Sequence, residues 1–206
     1  MSVTADNDIT SIRRRQILVG TAQCIRRQGF DRVRLRDVSR ESGVSIGLIQ
    51  HYFETRDGLL EEAVAFQSDQ LIERLRDRSA GEQGWRRLQG LFDELYGIED
   101  LSEHATMWVS LAGAAMRHPE LVARHRRIHM AWRELVGQAV QQSVEMGEIA
   151  QVEDVEDRIA CLLAFFDGYE FQMATGDIPS DHDEFRRRAR LLAMTLFGYE
   201  PKDYGH

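Results

Sequence analysis

The stretch RDVSRESGVSIGLIQHYFETR, from Arg36 to Arg56, predicts two short helices joined by a tight turn. Gly43 stands where the first helix needs a left-handed residue in order to end, a conformation that causes glycine no Cβ clash. Val44 is an apolar plug between the helices, and the Ser45 hydroxyl can accept a free N–H of the second helix. This layout is typical of a helix-turn-helix motif, whose second helix enters the major groove of DNA.

The second helix of the motif is predicted over residues 46–53, with one apolar face and one polar face. Gln50 and His51 fall on the polar face, where planar side chains can form hydrogen bonds with bases and phosphates. The apolar residues that recur at helical spacing are Leu48, Ile49, Tyr52 and Phe53.

Position along the motif predicts two kinds of DNA contact. The exposed start and middle of the second helix should meet base edges, and an amide side chain suits adenine. Flanking basic and aromatic residues should meet phosphates. The predicted base contacts are Ser45, Ile46, Gly47 and Gln50. The predicted phosphate contacts are Arg34, Arg36, His51, Tyr52 and Arg56.

The motif and its flanks resemble the TetR/AcrR family of bacterial transcriptional regulators over roughly residues 11–65. The family's HYF-x-x-K-x-x-L segment corresponds to HYFETRDGLL, which begins at His51, and the glycine-aromatic exit of its first helix corresponds to Gly29-Phe30. Two positions depart from the family pattern. Arg34 replaces the usual small hydroxyl residue before the second helix, and Arg56 replaces the usual lysine.

Charge is distributed unevenly along a chain whose net charge is −8. Residues 1–58 carry ten Arg against seven acidic residues, or +3, whereas the remainder carries 16 basic and 27 acidic residues, or −11. Basic charge is thus concentrated around the motif, where phosphates would lie. The run Arg13-Arg14-Arg15 opposes the dipole of the first helix, so an anionic partner near that end explains it better than local stability.

The rest of the chain predicts an all-α protein of about nine helices, with no alternating β-branched run that would indicate a strand. Residues 1–9 are expected to be a loose tail, and Ser180-x-x-Asp183 resembles a capping box that opens the last helix. The predicted domains are residues 1–54, which bind DNA, and residues 55–206, which bind an effector and dimerise. The helices are predicted over residues 10–28, 37–42, 46–53, 55–78, 85–96, 103–117, 119–146, 153–174 and 181–197.

An apolar helix near the end of the chain indicates a dimer. The run IACLLAFF, from Ile159 to Phe166, is apolar all round, which requires a covering on more than one side. In the family, the last two long helices form a four-helix bundle across a twofold axis, so the resemblance implies the same here. The predicted interface residues are Cys161, Phe165, Leu191, Leu192 and Leu196.

Aromatic and sulfur-containing side chains are abundant in helices 5 to 8, where a filled core and an effector pocket are both open interpretations. Glu170 lies one turn from Phe166, and a carboxylate beside aromatic rings suits an organic cation. The run from Trp108 to His118, with MRHPEL beginning at Met116, loosely resembles the choline-responsive, BetI-like branch. A neutral or acidic ligand remains an alternative, since Arg117 or His129 could pair with an anion. The predicted lining is Tyr96, His104, Trp108, Trp132, Phe166 and Glu170.

Three other patterns favour structural roles. The GVSIG segment matches the G-x-S-x-G nucleophile elbow, but a charged helix precedes it instead of the required buried strand, so a catalytic Ser45 is disfavoured. His125 and His129 have the i, i+4 spacing of metal ligands, with His104 or Glu170 as conceivable third ligands, yet arginines surround them. Cys24 and Cys161 are expected to be reduced core thiols.

These patterns together predict a ligand-responsive transcriptional regulator, most simply a repressor. It would bind a palindromic operator as a homodimer and be released by a small effector, with an organic cation favoured. No catalytic residue, metal or cofactor is expected, and the absence of an apolar signal or spanning run predicts a cytoplasmic protein without membrane contact. The alternative is a small-molecule-binding protein or enzyme in which the N-terminal bundle is only structural.

Overall fold

The computed structural model describes residues 3–97, 100–116 and 119–200, without the side chains of residues 3–9, 78, 79, 96, 120 and 124. All regular structure in these ranges is helical, which confirms the all-α prediction. None of the described helices is both long and apolar enough to cross a membrane. The elements are α1 Val3–Gln28, a 3-10 turn Phe30–Arg32, α2 Leu35–Ser42, α3 Ile46–Tyr52, α4 Arg56–Ala80, α5 Gly84–Tyr96, α6 Leu101–Ala115, α7 Pro119–Glu145, α8 Val155–Thr175 and α9 His182–Phe197.

The chain divides into two compact units. Unit 1 comprises Met1–Gln70 and Thr106–His125, and unit 2 comprises Leu71–Ala105 and Arg126–His206. Because of these bounds, α4, α6 and α7 each contribute residues to both units.

In unit 1, α1 and α2 make a close crossing at Gly20. A Cβ added there would lie 2.9 Å from the Ser42 Cβ, so the crossing requires glycine. Gln16 Nε2 donates to the Ser42 carbonyl at 2.6 Å and fixes the contact. Burial of each large aliphatic side chain beneath this crossing contributes roughly 1.5–3 kcal/mol. The buried residues of this core include Ile17, Leu18, Ile25, Phe30, Val38, Val44, Ile49, Phe53, Leu59 and Leu60.

The turn between α2 and α3 has the predicted chemistry. Gly43 ends α2 with φ 67°, in the left-handed region. Val44 is buried. Ser45 Oγ accepts the Leu48 N–H at 3.3 Å and caps α3. This turn therefore holds α3 at a defined angle to α2.

In unit 2, α9 packs against α8 and α5. Aromatic rings fill the space between them: Tyr169 stacks on Phe185 with ring centroids 4.5 Å apart, and Phe92 meets Phe166 edge-on at 5.6 Å. Such ring pairs add about 0.5–1.5 kcal/mol beyond their burial. At the rim, Asp93 Oδ1 accepts from Arg190 at 2.8 Å, tying α5 to α9.

The first turn of α5 is stabilised from a distant part of the chain. The Glu148 carboxylate accepts the Trp85 N–H at 2.7 Å, and an anion at a helix N-terminus is favourable. The Trp85 ring stacks on Tyr199, with centroids 4.1 Å apart and planes 2° apart. The segment after α7 and the segment after α9 both therefore anchor the start of α5.

Most predicted helix bounds agree with the structure within two residues, and two expectations are wrong. Helix α1 begins at Val3 rather than Thr10, so the predicted tail is helical from that residue. Helix α9 is capped by Asp181, whose carboxylate accepts the N–H groups of Asp183 and Glu184, and not by Ser180. Both residues are good caps, and only the position at which the helix starts decides between them.

Candidate nucleic-acid interface and effector site

Helix α3 presents an exposed face made of residues from its start and middle. Ile49 is fully buried and Phe53 nearly so, which anchors the helix against unit 1. A Cβ added to Gly47 would meet no atom within 4 Å, so the surface is open at this point. The exposed residues are Ser45, Ile46, Gly47, Leu48, Gln50 and His51.

Leu48 differs from its predicted position. The helical spacing places it with the inward apolar residues, but 36% of it is exposed, close to the 41% of Ile46. A seven-residue helix has too few turns for spacing alone to define the edge of its buried face. The α3 surface therefore combines two aliphatic side chains with the amide of Gln50.

Basic side chains flank this surface. Arg34 and Arg36 are exposed at the start of α2. Arg34 cannot accept a hydrogen bond, and the Asp37 carboxylate instead accepts the Arg34 backbone N–H at 3.1 Å. At the other end of the motif, His51 is exposed and its ring lies edge-on to Tyr52 at 5.5 Å. The unusual Arg34 thus leaves its charge on the surface while Asp37 satisfies part of the helix terminus.

The arginine run in α1 is partly used within the protein. Arg14 forms an ion pair with Glu62 and lies over the Phe53 ring at 5.2 Å. Arg13 donates to Gln16 at 2.9 Å. The side chain of Arg14 therefore ties α1 to α4 and to the end of α3.

Arg56, predicted to contact phosphate, has several partners inside unit 1. Its guanidinium donates to the carbonyls of Val33 at 2.7 Å, Asp31 at 2.8 Å and Phe30 at 3.0 Å. It also forms an ion pair with Asp57. Sequence reasoning missed these contacts because their backbone acceptors lie 23 to 26 residues away.

Four of the predicted effector-site residues lie in unit 2 and are buried. His104 Nε2 lies 3.5 Å from Glu170 Oε1. The Trp132 and Phe166 rings are 6.1 Å apart. The structure thus places a buried carboxylate in the same unit as a buried aromatic cluster.

The structure does not place the two other predicted effector residues in this group. Trp108 is half-buried and belongs to unit 1. The side chain of Tyr96 lies outside the described residues, as do Arg117 and His118. Their predicted roles remain predictions.

The predicted interface residues lie on α8 and α9 with varied exposure. Cys161 is exposed, contrary to its expected burial, whereas Cys24 is buried as expected. Leu191 is 56% exposed, while Phe165, Leu192 and Leu196 are half-buried. An apolar run has no periodicity from which to tell its covered side from its open side. The open side of α8 carries Cys161, Ala164, Gly168 and Phe171, the last of which sequence reasoning missed.

In the part of the chain that the structure describes, the residues of the two alternative chemical sites have other surroundings. Ser45 is preceded by helix α2 and a glycine turn instead of a strand, and its hydroxyl caps α3. Among the described residues, no three His, Cys, Asp or Glu side chains are grouped so as to hold a metal ion. His129 instead lies 3.7 Å from Asp167 on α8.

Together these features define a helix-turn-helix protein with a separate helical unit that contains a buried charged and aromatic cluster. Two family models match the chain. Residues 17–63 match "Bacterial regulatory proteins, tetR family", and residues 85–198 match "BetI-type transcriptional repressor, C-terminal". Since the second match alone covers more than half of the chain, the protein belongs to the TetR family and has a BetI-type C-terminal region.

Similarity to individual proteins agrees with this assignment. The HTH-type transcriptional regulator BetI of Escherichia coli O17:K52:H18 is 33% identical over 115 residues, which cover 54% of this chain and 59% of that protein. The match thus spans less than two thirds of the curated relative.

Solved structures share the fold. A TetR transcription regulator from Haloarcula marismortui has a TM-score of 0.78 at 19% identity, covering 91% of this chain and 99% of that one. A transcriptional regulator from Saccharomonospora viridis, in complex with choline, has a TM-score of 0.79 at 21% identity, covering 87% and 94%.

Proposed function

We propose that this protein is a transcriptional repressor that binds a palindromic operator as a homodimer and is released by a small organic cation. The observation that carries the proposal is the two-sided character of α3. Ile49 anchors the helix in the core, while Ser45, Ile46, Gly47 and Gln50 are exposed together. If α3 were only structural, its exposed amide, its exposed glycine and its two exposed aliphatic side chains would add nothing to the stability of the fold.

The proposed DNA contacts follow from this surface. Gln50 can form two hydrogen bonds with the N6 and N7 atoms of adenine, and Ile46 can contact a thymine methyl group. Arg34, Arg36 and His51 are exposed around the surface and would meet phosphates. The acidic remainder of the chain would be repelled by DNA, which favours docking through this one surface.

The proposed dimer would use α8 and α9. The open side of α8 carries small and apolar residues, among them Ala164 and Gly168, and α9 adds the exposed Leu191. Small residues allow two helices to approach closely, and apolar ones stabilise the contact by leaving water. A twofold dimer would place two copies of α3 on successive half-sites separated by about one turn of DNA or a multiple of it.

The proposed effector is an organic cation because of the charge in the buried cluster of unit 2. Glu170 supplies a carboxylate, and Trp132 and Phe166 supply aromatic faces that attract cations. The Saccharomonospora viridis neighbour was solved with choline, a cation of this class. Release from DNA requires that the cation bind the DNA-incompetent form more tightly than the DNA-bound form. Such a repressor would act in the cytoplasm, where its operator lies.

A gel-shift assay against the DNA upstream of its own gene tests the proposal. The protein should shift this duplex at nanomolar concentration, resist excess unrelated DNA, and release the duplex when choline is added. Equal affinity for upstream and unrelated duplexes would contradict operator recognition. Specific binding that is insensitive to choline but sensitive to an acidic ligand would contradict the cation assignment alone.

A further inference from the structure

The N-terminal end of α4 is bound to the segment that precedes α2 through one side chain. Arg56 Nε donates to the Val33 carbonyl at 2.7 Å. One terminal nitrogen of the same guanidinium donates to Phe30 at 3.0 Å and to Asp31 at 2.8 Å. The other terminal nitrogen pairs with Asp57. All three nitrogens of Arg56 therefore have partners within unit 1.

These contacts join the segment just before the helix-turn-helix to the residue that begins the helix after it. Val33 immediately precedes Arg34, the residue before α2, and Arg56 follows shortly after α3. The chain between them contains only α2, the turn and α3. Bonds between residues 33 and 56 therefore fix the two ends of the motif relative to each other.

The exposure of the arginines separates Arg56 from its neighbours in sequence. Its side chain is 33% exposed, whereas Arg34 and Arg36 are both exposed residues. A guanidinium holds its five N–H groups in a rigid plane, so donors that point at carbonyls cannot also point at a phosphate. The four acceptors account for four of the five N–H groups, so a phosphate contact by Arg56 would use the fifth N–H, beside Asp57, or would require one of these bonds to break.

We propose that Arg56 is a positioning residue for DNA reading: it holds α3 at its reading angle by joining α4 to the Phe30–Val33 segment, and it does not neutralise a phosphate. This inference rests on the proposed function, because positioning matters only if α3 reads DNA. It assigns to Arg56 a role different from the phosphate contact that its sequence position predicts.

Three variants distinguish the two roles of Arg56. Arg56→Ala removes all its bonds. Arg56→Gln removes the charge, but its amide nitrogen occupies nearly the position of Nε and can still donate to Val33. Arg36→Ala is the matched control, because it removes the same charge from an exposed side chain of the same motif.

The measurement is affinity as a function of NaCl concentration, for a duplex enriched from a random pool by the wild-type protein and for an unrelated duplex. Arg36→Ala should lower the slope of log K against log salt by about 0.9 on both duplexes. Arg56→Ala should leave both slopes unchanged and weaken only the enriched duplex, by tenfold or more. Arg56→Gln should fall between Arg56→Ala and the wild type.

Other outcomes would overturn the inference. A slope lowered by about 0.9 in both Arg56 variants, with equal loss on both duplexes, would make Arg56 a phosphate ligand. Thermal melts of each variant show the folded fraction, and if Arg56→Ala does not fold, the slope of Arg56→Gln decides. Failure of the wild type to enrich any sequence would overturn the proposed function itself, which keeps the two failures distinguishable.

Discussion

His104 Nε2 lies 3.5 Å from Glu170 Oε1, and both residues are buried in unit 2. A buried carboxylate has lost its hydration and therefore needs a polar or charged partner. The imidazole is one such partner, and a cationic effector beside the Trp132 and Phe166 rings would be a second.

Quaternary amines should raise the melting temperature of the wild type, and Glu170→Gln should abolish the effect. The substitution preserves shape but removes the charge that attracts a cation. At a ligand concentration of 100 Kd, the expected stabilisation is about 2.7 kcal/mol, measured by thermal shift or calorimetry. Glu134→Gln, on the exposed side of α7, is the control and should respond as the wild type does. Stabilisation only by fatty or aromatic acids would refute the cation.

Leu48 should read a thymine methyl group. Replacing a contacted thymine by deoxyuridine removes one methyl group and should weaken wild-type binding by about 0.8 kcal/mol, the value of one buried methylene. At the thymine that Leu48 contacts, Leu48→Ala should bind both duplexes alike, because the contact is then absent, whereas a thymine contacted by Ile46 should keep its difference. Gln50→Ala should retain the difference between thymine and deoxyuridine. If no deoxyuridine position affects the wild type, the exposed leucine does not read a methyl group.

Leu191→Glu should produce monomers that no longer bind the operator. The side chain is 56% exposed, so the charge need not disturb the fold, but burying it in a twofold interface would be unfavourable. Light scattering gives the mass, and gel shift gives operator binding. Met146→Glu alters a residue of similar exposure outside α8 and α9 and should remain dimeric. A dimeric Leu191→Glu protein would place the interface elsewhere.

Asp181→Ala should destabilise the protein by about 0.5–2 kcal/mol, because two N–H groups of α9 lose their acceptor. Ser180→Ala should lie within about 0.5 kcal/mol of the wild type, since the neighbouring serine makes no capping contact with α9. Urea unfolding at neutral pH measures both. If Ser180→Ala were instead the more destabilising of the two, Ser180 would be the cap, as the sequence predicts.

These two neighbouring residues show what sequence reasoning can predict. The existence and type of the helices follow from spacing, glycine stops and caps, and Gly43, Val44 and Ser45 behave as predicted. The choice between Ser180 and Asp181 depends on a shift of one residue in the start of α9, which local preferences do not resolve.

Contacts between distant residues account for the remaining differences. The acceptors of Arg56 are backbone carbonyls from another part of unit 1, and no side-chain pattern marks them. The exposure of Cys161 depends on which side of α8 the other helices cover, and an apolar run gives no indication of that side. Residue types in the candidate site could therefore be predicted, whereas their partners could not.

The two cysteines differ in a way that makes a thiol reagent a time-resolved reporter. Cys24 is buried, and burial together with the nearby Glu41 carboxylate raises the pKa of its thiol, so the reactive thiolate is scarce at neutral pH. The rate at which Cys24 is alkylated would therefore report how often α1 separates locally from α2. Cys161 is exposed in the single chain, so its alkylation would be fast unless a second molecule covers α8. One reagent would thus measure two rates: local opening of the DNA-reading unit, from the alkylation of Cys24, and dissociation of the dimer, from the alkylation of Cys161.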